Sequence, residues 1–285
     1  MFSKLLKYEW KANWGLMSIL TLAAFGVALL GTIALRVLVN YGDRISESES
    51  ILVLLLFPLG VLVMVSYVVI AIYVAAVNYV LLFRFYKNKF TDEGYLTFTL
   101  PVKTNHIFLS SGLHMAIWMV ISIVLMVLMY ALMFLCGTAT EGLINTDILK
   151  TLQTAGELWE VIADGLSDIL GQGFGPLLLL NILIAPFSSV VQSMSCVTLG
   201  AVVAKKHKIL AIIGIFYGVN MILSVVTSVL ANLPSLLLIA DPSLMDSTNW
   251  YFTLIMALVF LLQAGIAVGG YFLSTHLMKN KLNLP

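Results

Sequence analysis

Six long apolar runs constrain this chain more than any other feature. They cover about 15–39, 51–84, 104–136, 174–203, 208–231 and 250–275. A helix crossing the hydrocarbon core of a bilayer needs roughly 20 mostly apolar residues. Helices and closed barrels alone can span it, because no water is present there to satisfy a free peptide group. Each run is long enough. Composition agrees: 61% of the 285 residues are hydrophobic and 10% are charged, with a mean hydropathy of +1.04. A soluble domain carries about 25% charged residues. The chain is therefore expected to be an all-α membrane protein, one transmembrane domain over 1–285 with six spans. Its net charge of +1 gives no basis for binding nucleic acid.

Charge placement orients the spans. Lys4, Lys7 and Lys11 precede the first; Arg84, Lys87, Lys89 and Lys103 separate the second from the third. Lys205, Lys206 and Lys208 separate the fourth from the fifth; Lys279 and Lys281 follow the sixth. These are 12 of the 15 basic residues, and six spans put all four segments on one side. Cytoplasmic loops carry the excess of Lys and Arg, so both termini are expected in the cytoplasm and the chain in the plasma membrane. Asp43, Glu47, Glu49, Glu141, Asp147, Glu157, Glu160, Asp164, Asp168, Asp241 and Asp246 fall on the other side. The apolar run from Leu16 to about Val39 exceeds the 7–15 residues of a signal-peptide core, so a cleaved signal is not expected. Residues 1–14 read as an interfacial helix lying in the membrane surface. Lys4, Lys7 and Lys11 share one face, Phe2, Leu5, Leu6 and Trp10 lie mostly opposite, and Trp14 stands at headgroup level. The other reading is a charged flank that only sets topology.

The outer loops differ. Residues 40–50 form a short acidic turn. In 138–173, Ile144, Ile148 and Leu152, then Trp159, Ile162, Leu166 and Ile169, recur at helical spacing on either side of Gly156. That predicts an extracellular amphipathic segment, either resting on the bilayer and span ends or acting as a lid. Residues 233–249, apolar but bracketed by Pro234 and Pro242, are too short to span and read as a re-entrant or interfacial turn. Within the spans, Gly214 with Gly218, Ser189 with Ser193, and Gly265 with Gly269 place small residues four apart, which permits close helix approach. Pro58 and Pro186 should kink their helices. Cys136 and Cys196 sit at opposite depths and are expected as free thiols, since a disulfide needs Cα atoms within about 7 Å. No Asp, Glu or Lys lies deep in a predicted span, and Arg36 is close enough to an end to snorkel. Ion-coupled transporters place ionisable groups at membrane depth, so self-powered transport is disfavoured. The deep polar residues include Asn78 and four further amides, Asn181, Gln192, Asn220 and Gln263. They read either as interhelical hydrogen-bonding residues or as the lining of a substrate path.

Catalytic patterns are missing. His106 and His114 lie about 12 Å apart along a helix, without a carboxylate or thiol near them in sequence. HExxH, GxSxG and metal-spaced Cys–His pairs are absent, as is the GxxxxGK[ST] loop that cradles ATP. The chain is expected to be no enzyme and to hold no cofactor of its own.

One polar interval remains, Arg84 to Ser111, RFYKNKFTDEGYLTFTLPVKTNHIFLSS. The preceding apolar run of some 34 residues is about 51 Å long as a helix, well beyond a hydrocarbon core of roughly 30 Å. Its end, Phe83-Arg84-Phe85-Tyr86, is expected to project. Thr91 or Asp92 can cap a short helix with Glu93 in its first turn. Tyr95, Leu96, Phe98 and Leu100 then give it an apolar face, and Pro101 stops it. Such a helix either rests on headgroups or inserts into a groove on a partner.

The layout resembles the membrane subunits of ABC-2 type exporters. Glu93-Gly94-Tyr95-Leu96 through Leu100-Pro101-Val102 resembles that family's cytoplasmic E-x-G-(x)n-L-P-V-S stretch, and more closely the RFYKN-F-DEGYL-FTLPV form of bacterial ABC permeases. Lys103 stands where a serine is common, Ser111 where a lysine often follows, and Thr97 or Phe98 where a second acidic residue is common. The resemblance implies a permease subunit that pairs with a second permease subunit, identical or related. It also implies a separate ABC ATP-binding subunit that holds ATP and Mg and docks through 84–103. Arg84, Asp92, Glu93, Gly94, Tyr95, Phe98 and Pro101 are the implied docking residues. A peptide or an amphipathic, lipid-like cargo is the expected substrate. A reading from another class is a membrane sensor or scaffold that holds a cytoplasmic partner through the same loop without transport.

Overall fold

A computed structural model of the chain describes residues 2–42, 50–91, 94, 97, 99, 102–137, 156, 160, 163–165, 167–168, 173–204, 206–240 and 248–280. Of these, 42, 50–55, 136–137, 233–240 and 248–251 are described by backbone alone. The long elements are six helices: α1 Phe2–Gly42, α2 Ser50–Phe90, α3 Thr104–Gly137, α4 Gly175–Val203, α5 Lys208–Ala240 and α6 Thr248–Asn280. All six are long and apolar enough to cross a membrane. Large apolar side chains stand open along them: Met221 is 72% exposed, Leu210 68%, Leu183 66% and Phe272 65%. Water would not tolerate such surfaces, whereas hydrocarbon does. The protein is a multi-pass helical membrane protein.

Three boundaries depart from the sequence reading. The separate interfacial helix over 1–14 is not formed. Residues 2–14 run on into the first apolar stretch as one 41-residue helix. The weakest helix former at the junction is Gly15, and one glycine costs a helix about 1 kcal/mol, too little to end it. The second run overshoots its predicted end at 84, and α2 reaches Phe90. The expected re-entrant turn over 233–249 begins instead as helix, because α5 continues through Pro234 to Ala240. Proline removes one backbone bond, and a helix can re-form beyond it where neighbouring groups satisfy the freed carbonyl. Residues 241–247 lie outside the described residues. So does most of 138–173, although Gly156, Glu160, 163–165 and 167–168 are helical. Pro58 and Pro186 are both inside their helices.

The chain divides into two compact units. One contains Met1–Trp10, Tyr79–Ile117 and Leu166–Pro285; the other contains Lys11–Asn78 and Trp118–Gly165. In the second unit, Gly31 lets α1 close on α2: a Cβ there would fall 2.5 Å from that of Ser66. Thr21 and Tyr73 join their hydroxyls at 2.9 Å. The Tyr130 hydroxyl donates to the Tyr67 carbonyl at 2.9 Å while the two rings stack. Trp14 lies 5.8 Å from Trp118, centroid to centroid.

In the first unit, α4 is the central helix. Ser188, Ser193, Ser195, Thr198, Gly200 and Ala201 are all buried along it, and small side chains allow backbones to approach where apolar attraction alone cannot drive association. Ser195 donates towards the Gly270 carbonyl at 3.0 Å and accepts from Ser274 at 3.0 Å, which joins α4 to α6. A Cβ at Gly200 would lie 2.7 Å from the Ile212 Cα, which sets the approach of α5. The expected contact glycines are elsewhere. A Cβ on Gly214, Gly218, Gly265 or Gly269 would meet nothing within 4 Å among the described residues. Spacing alone does not say which face of a helix meets a neighbour.

Candidate functional site

The polar interval is held at both flanks. On its N-terminal side, the last turns of α2 are buried along one face: Leu82, Phe85, Lys89 and Phe90 are each less than 7% exposed. An ammonium does not stay buried without a counter-charge. Lys89 Nζ has one, Glu9 Oε1 at 3.3 Å. On the C-terminal side, the Ser111 hydroxyl donates to the same Glu9 oxygen at 2.5 Å. One carboxylate on α1 therefore ties the end of α2 to the second turn of α3. Removing one partner of a buried pair costs about 3–5 kcal/mol, because the other charge is left uncompensated.

Ring contacts surround this tie. Phe2 meets His106 at 6.4 Å and Trp10 meets His114 at 5.7 Å, both edge-on. The two pairs keep one offset, so the first turns of α1 run alongside the first turns of α3 in the same direction. That arrangement differs from a helix lying across the spans. Phe85 touches Phe90 and Phe108, and Phe108 touches Tyr271 of α6, with centroids 5.7, 6.4 and 5.9 Å apart. The start of α1, end of α2, start of α3 and last third of α6 thus meet, all from segments that carry the excess of basic residues.

Of the expected docking residues, Arg84 is half-buried on α2 and engaged by neighbours. Gly94 is buried, and its N–H donates to the Thr91 carbonyl at 2.8 Å. Asp92, Glu93, Tyr95, Phe98 and Pro101 lie outside the described residues. Thr91, expected as a cap, directs its hydroxyl back to the Lys87 carbonyl of its own helix. Thr97 is helical, and its hydroxyl donates to the Asn88 carbonyl at 3.3 Å. Gly94 and Thr97 are therefore each tied back to the end of α2.

The four amides do not converge on one path. Asn181 donates to its own helix at Leu177 and across to Met256 of α6, at 2.8 and 2.9 Å. Gln192 donates to Asn220 at 3.3 Å, joining α4 to α5. Gln263 Oε1 is buried without a partner among the described residues. Only Gln192 also lines the apolar groove of about 440 Å³ between α4, α5 and α6, beside Gly265 and Gly269. Cys196 is a buried free thiol. The Cys136 side chain is outside the described residues. His114 Nε2 is buried without a hydrogen-bond partner among the described residues.

Glu9 carries no signal in the sequence. It stands among Lys4, Lys7 and Lys11 in a stretch that reads as headgroup-facing, and its partners are 80 and 102 positions away. A lone carboxylate beside a predicted span was the only available hint. No family model matches the chain, and neither does any curated protein or solved structure.

Proposed function

We propose that the chain is the membrane-spanning subunit of an ATP-driven exporter of the ABC-2 type. In this reading the 84–103 segment faces the cytoplasm and docks a separate ATP-binding subunit. A second permease subunit, identical or related, completes the complex. The observation that carries the reading is the double tie of Glu9 to Lys89 and Ser111. A loop that receives force from a partner must pass it to the spans. Gripped on both flanks by one half-buried carboxylate, this loop cannot shift without taking α1, α2 and α3 with it.

The other parts support the same function. ATP binding by the P-loop route is missing from the sequence, so the energy source must dock from outside. Arg84, Asp92 and Glu93 supply charge pairing at that surface. Tyr95 and Phe98 fill a pocket on the partner, and Gly94 and Pro101 shape the segment between them. The apolar spans and the α4–α6 groove suit a peptide or an amphipathic, lipid-like cargo.

Co-purification with an ATP-binding subunit tests the proposal. Glu93→Arg with Tyr95→Ala should abolish association and coupled ATP turnover. Intact association and turnover in that variant would show that docking is elsewhere. A complex that assembles through the segment but moves no cargo would instead be a sensor or scaffold.

A further inference from the structure

A second groove, of about 380 Å³, lies beside the tie, between the last turns of α2 and the first turns of α5. Two stripes at helical spacing build it. Tyr79, Phe83 and Tyr86 come from α2, and Ile209, Ile213 and Tyr217 from α5. Tyr79 and Phe216 close across it edge-on at 6.0 Å. Its walls stand open on the membrane side: Tyr79 is 50% exposed, Phe83 60% and Tyr217 64%. A cleft of this kind, lined by aromatic and branched side chains along two helices, fits an extended acyl chain.

Charge at one end of the groove selects among acyl-chain ligands. Ile209 lines the groove one position after Lys208, and Tyr86 lines it one position before Lys87. Lys87, Lys206 and His207 are exposed there and Lys208 is half-buried. Neither bordering stretch, 79–91 or 204–217, contains a single carboxylate. This end of the groove therefore carries basic side chains from both helices. The opposite end of both stripes is uncharged, so a ligand must be anionic at one end and apolar along its length.

We propose that this groove is a binding site for one anionic phospholipid. Its phosphate lies against Lys206 and Lys208, and an acyl chain lies between Phe83 and Ile213. Basic pockets between spans hold anionic headgroups by this combination of charge and apolar contact. The site is independent of the export reading, since it requires no ATP-binding partner.

Native mass spectrometry of the full-length chain, released from detergent after equilibration with defined lipids, tests the site. Phosphatidylglycerol and phosphatidylcholine with identical acyl chains are the probes. The wild-type chain should retain one phosphatidylglycerol in preference to phosphatidylcholine. Lys206→Gln with Lys208→Gln should reduce that preference about 30-fold, since each lysine near an anionic surface contributes about 1 kcal/mol. Lys4→Gln with Lys7→Gln removes as much charge from another helix and should leave the preference unchanged. Ile213→Trp fills the groove and should abolish the bound lipid whatever its headgroup. Ile209→Trp repeats that arm at a more exposed position if the first variant loses helix content by circular dichroism. Equal retention of both lipids by the wild type would overturn the proposal. So would an unchanged preference in the Lys206/Lys208 variant, an equal loss in the Lys4/Lys7 variant, or undiminished retention in the filled groove.

Discussion

A carboxylate at position 9 faces an ammonium from one helix and a hydroxyl from another, with Lys89 Nζ at 3.3 Å and Ser111 Oγ at 2.5 Å. Each group is costly to leave alone in a low-dielectric setting, so the three are interdependent. Glu9→Ala should destabilise this corner by about 3 kcal/mol or more and speed hydrogen exchange at amides 84–111, read by mass spectrometry. Lys89→Met added to Glu9→Ala should recover much of the protection, because no stranded charge is left. Equal exchange in wild type and Glu9→Ala would show that the tie does not hold the segment. The position was illegible in the sequence for a simple reason. A helical wheel drawn over 1–14 reports only local faces, whereas the meaning of Glu9 depends on residues 80 and 102 positions away. The four amides are the converse case. Their depth could be read from the sequence, but whether they line a path or join helices depends on neighbours. Asn181 and Gln192 were found to join helices.

Between helices, contact is set by small residues, and the two sets of glycines behave oppositely. Gly200 and Gly270 sit where a Cβ would press on Ile212 and on Ser195; Gly214 and Gly218 face open space. Gly200→Ala should therefore lower the melting temperature of the detergent-solubilised protein by forcing α4 and α5 apart, at a cost of about 1–3 kcal/mol. Gly218→Ala should leave it unchanged or raise it, because alanine favours helix by about 1 kcal/mol and meets nothing. Equal effects at the two sites would mean that the α4–α5 approach is not set at Gly200. Existence and rough length of the helices were legible from apolar run length. Their ends were less so. The break expected at residue 14 was read from the amphipathic face of 1–14, and the turn expected over 233–249 from the prolines that bracket it. In the structure α1 and α5 pass through those positions.

Across the whole molecule, six spans and the grouping of 12 basic residues make a labelling pattern that can be checked. In a background with Cys136→Ser and Cys196→Ser, cysteines placed at Lys4, Lys103, Lys206 and Lys279 should react with an impermeant maleimide from one side of the membrane. Cysteines at Asp43 and Glu157 should react from the other. Labelling of positions 4 and 103 from opposite sides would break the six-span reading. Glu9, Lys89 and Ser111, and Phe108 with Tyr271, meet within one compact unit. Sequence alone determined that this protein is helical and crosses a membrane. That conclusion needs only local quantities, run length and charge, because hydrocarbon forbids an unsatisfied peptide group anywhere along a span. Tertiary structure alone decided which side of each helix meets protein. Lipid tails are as apolar as leucine, so hydrophobicity cannot separate a buried face from a lipid-facing one. Single contacts made that choice: a glycine under a backbone, a hydroxyl on a carbonyl, and Glu9 between two helices.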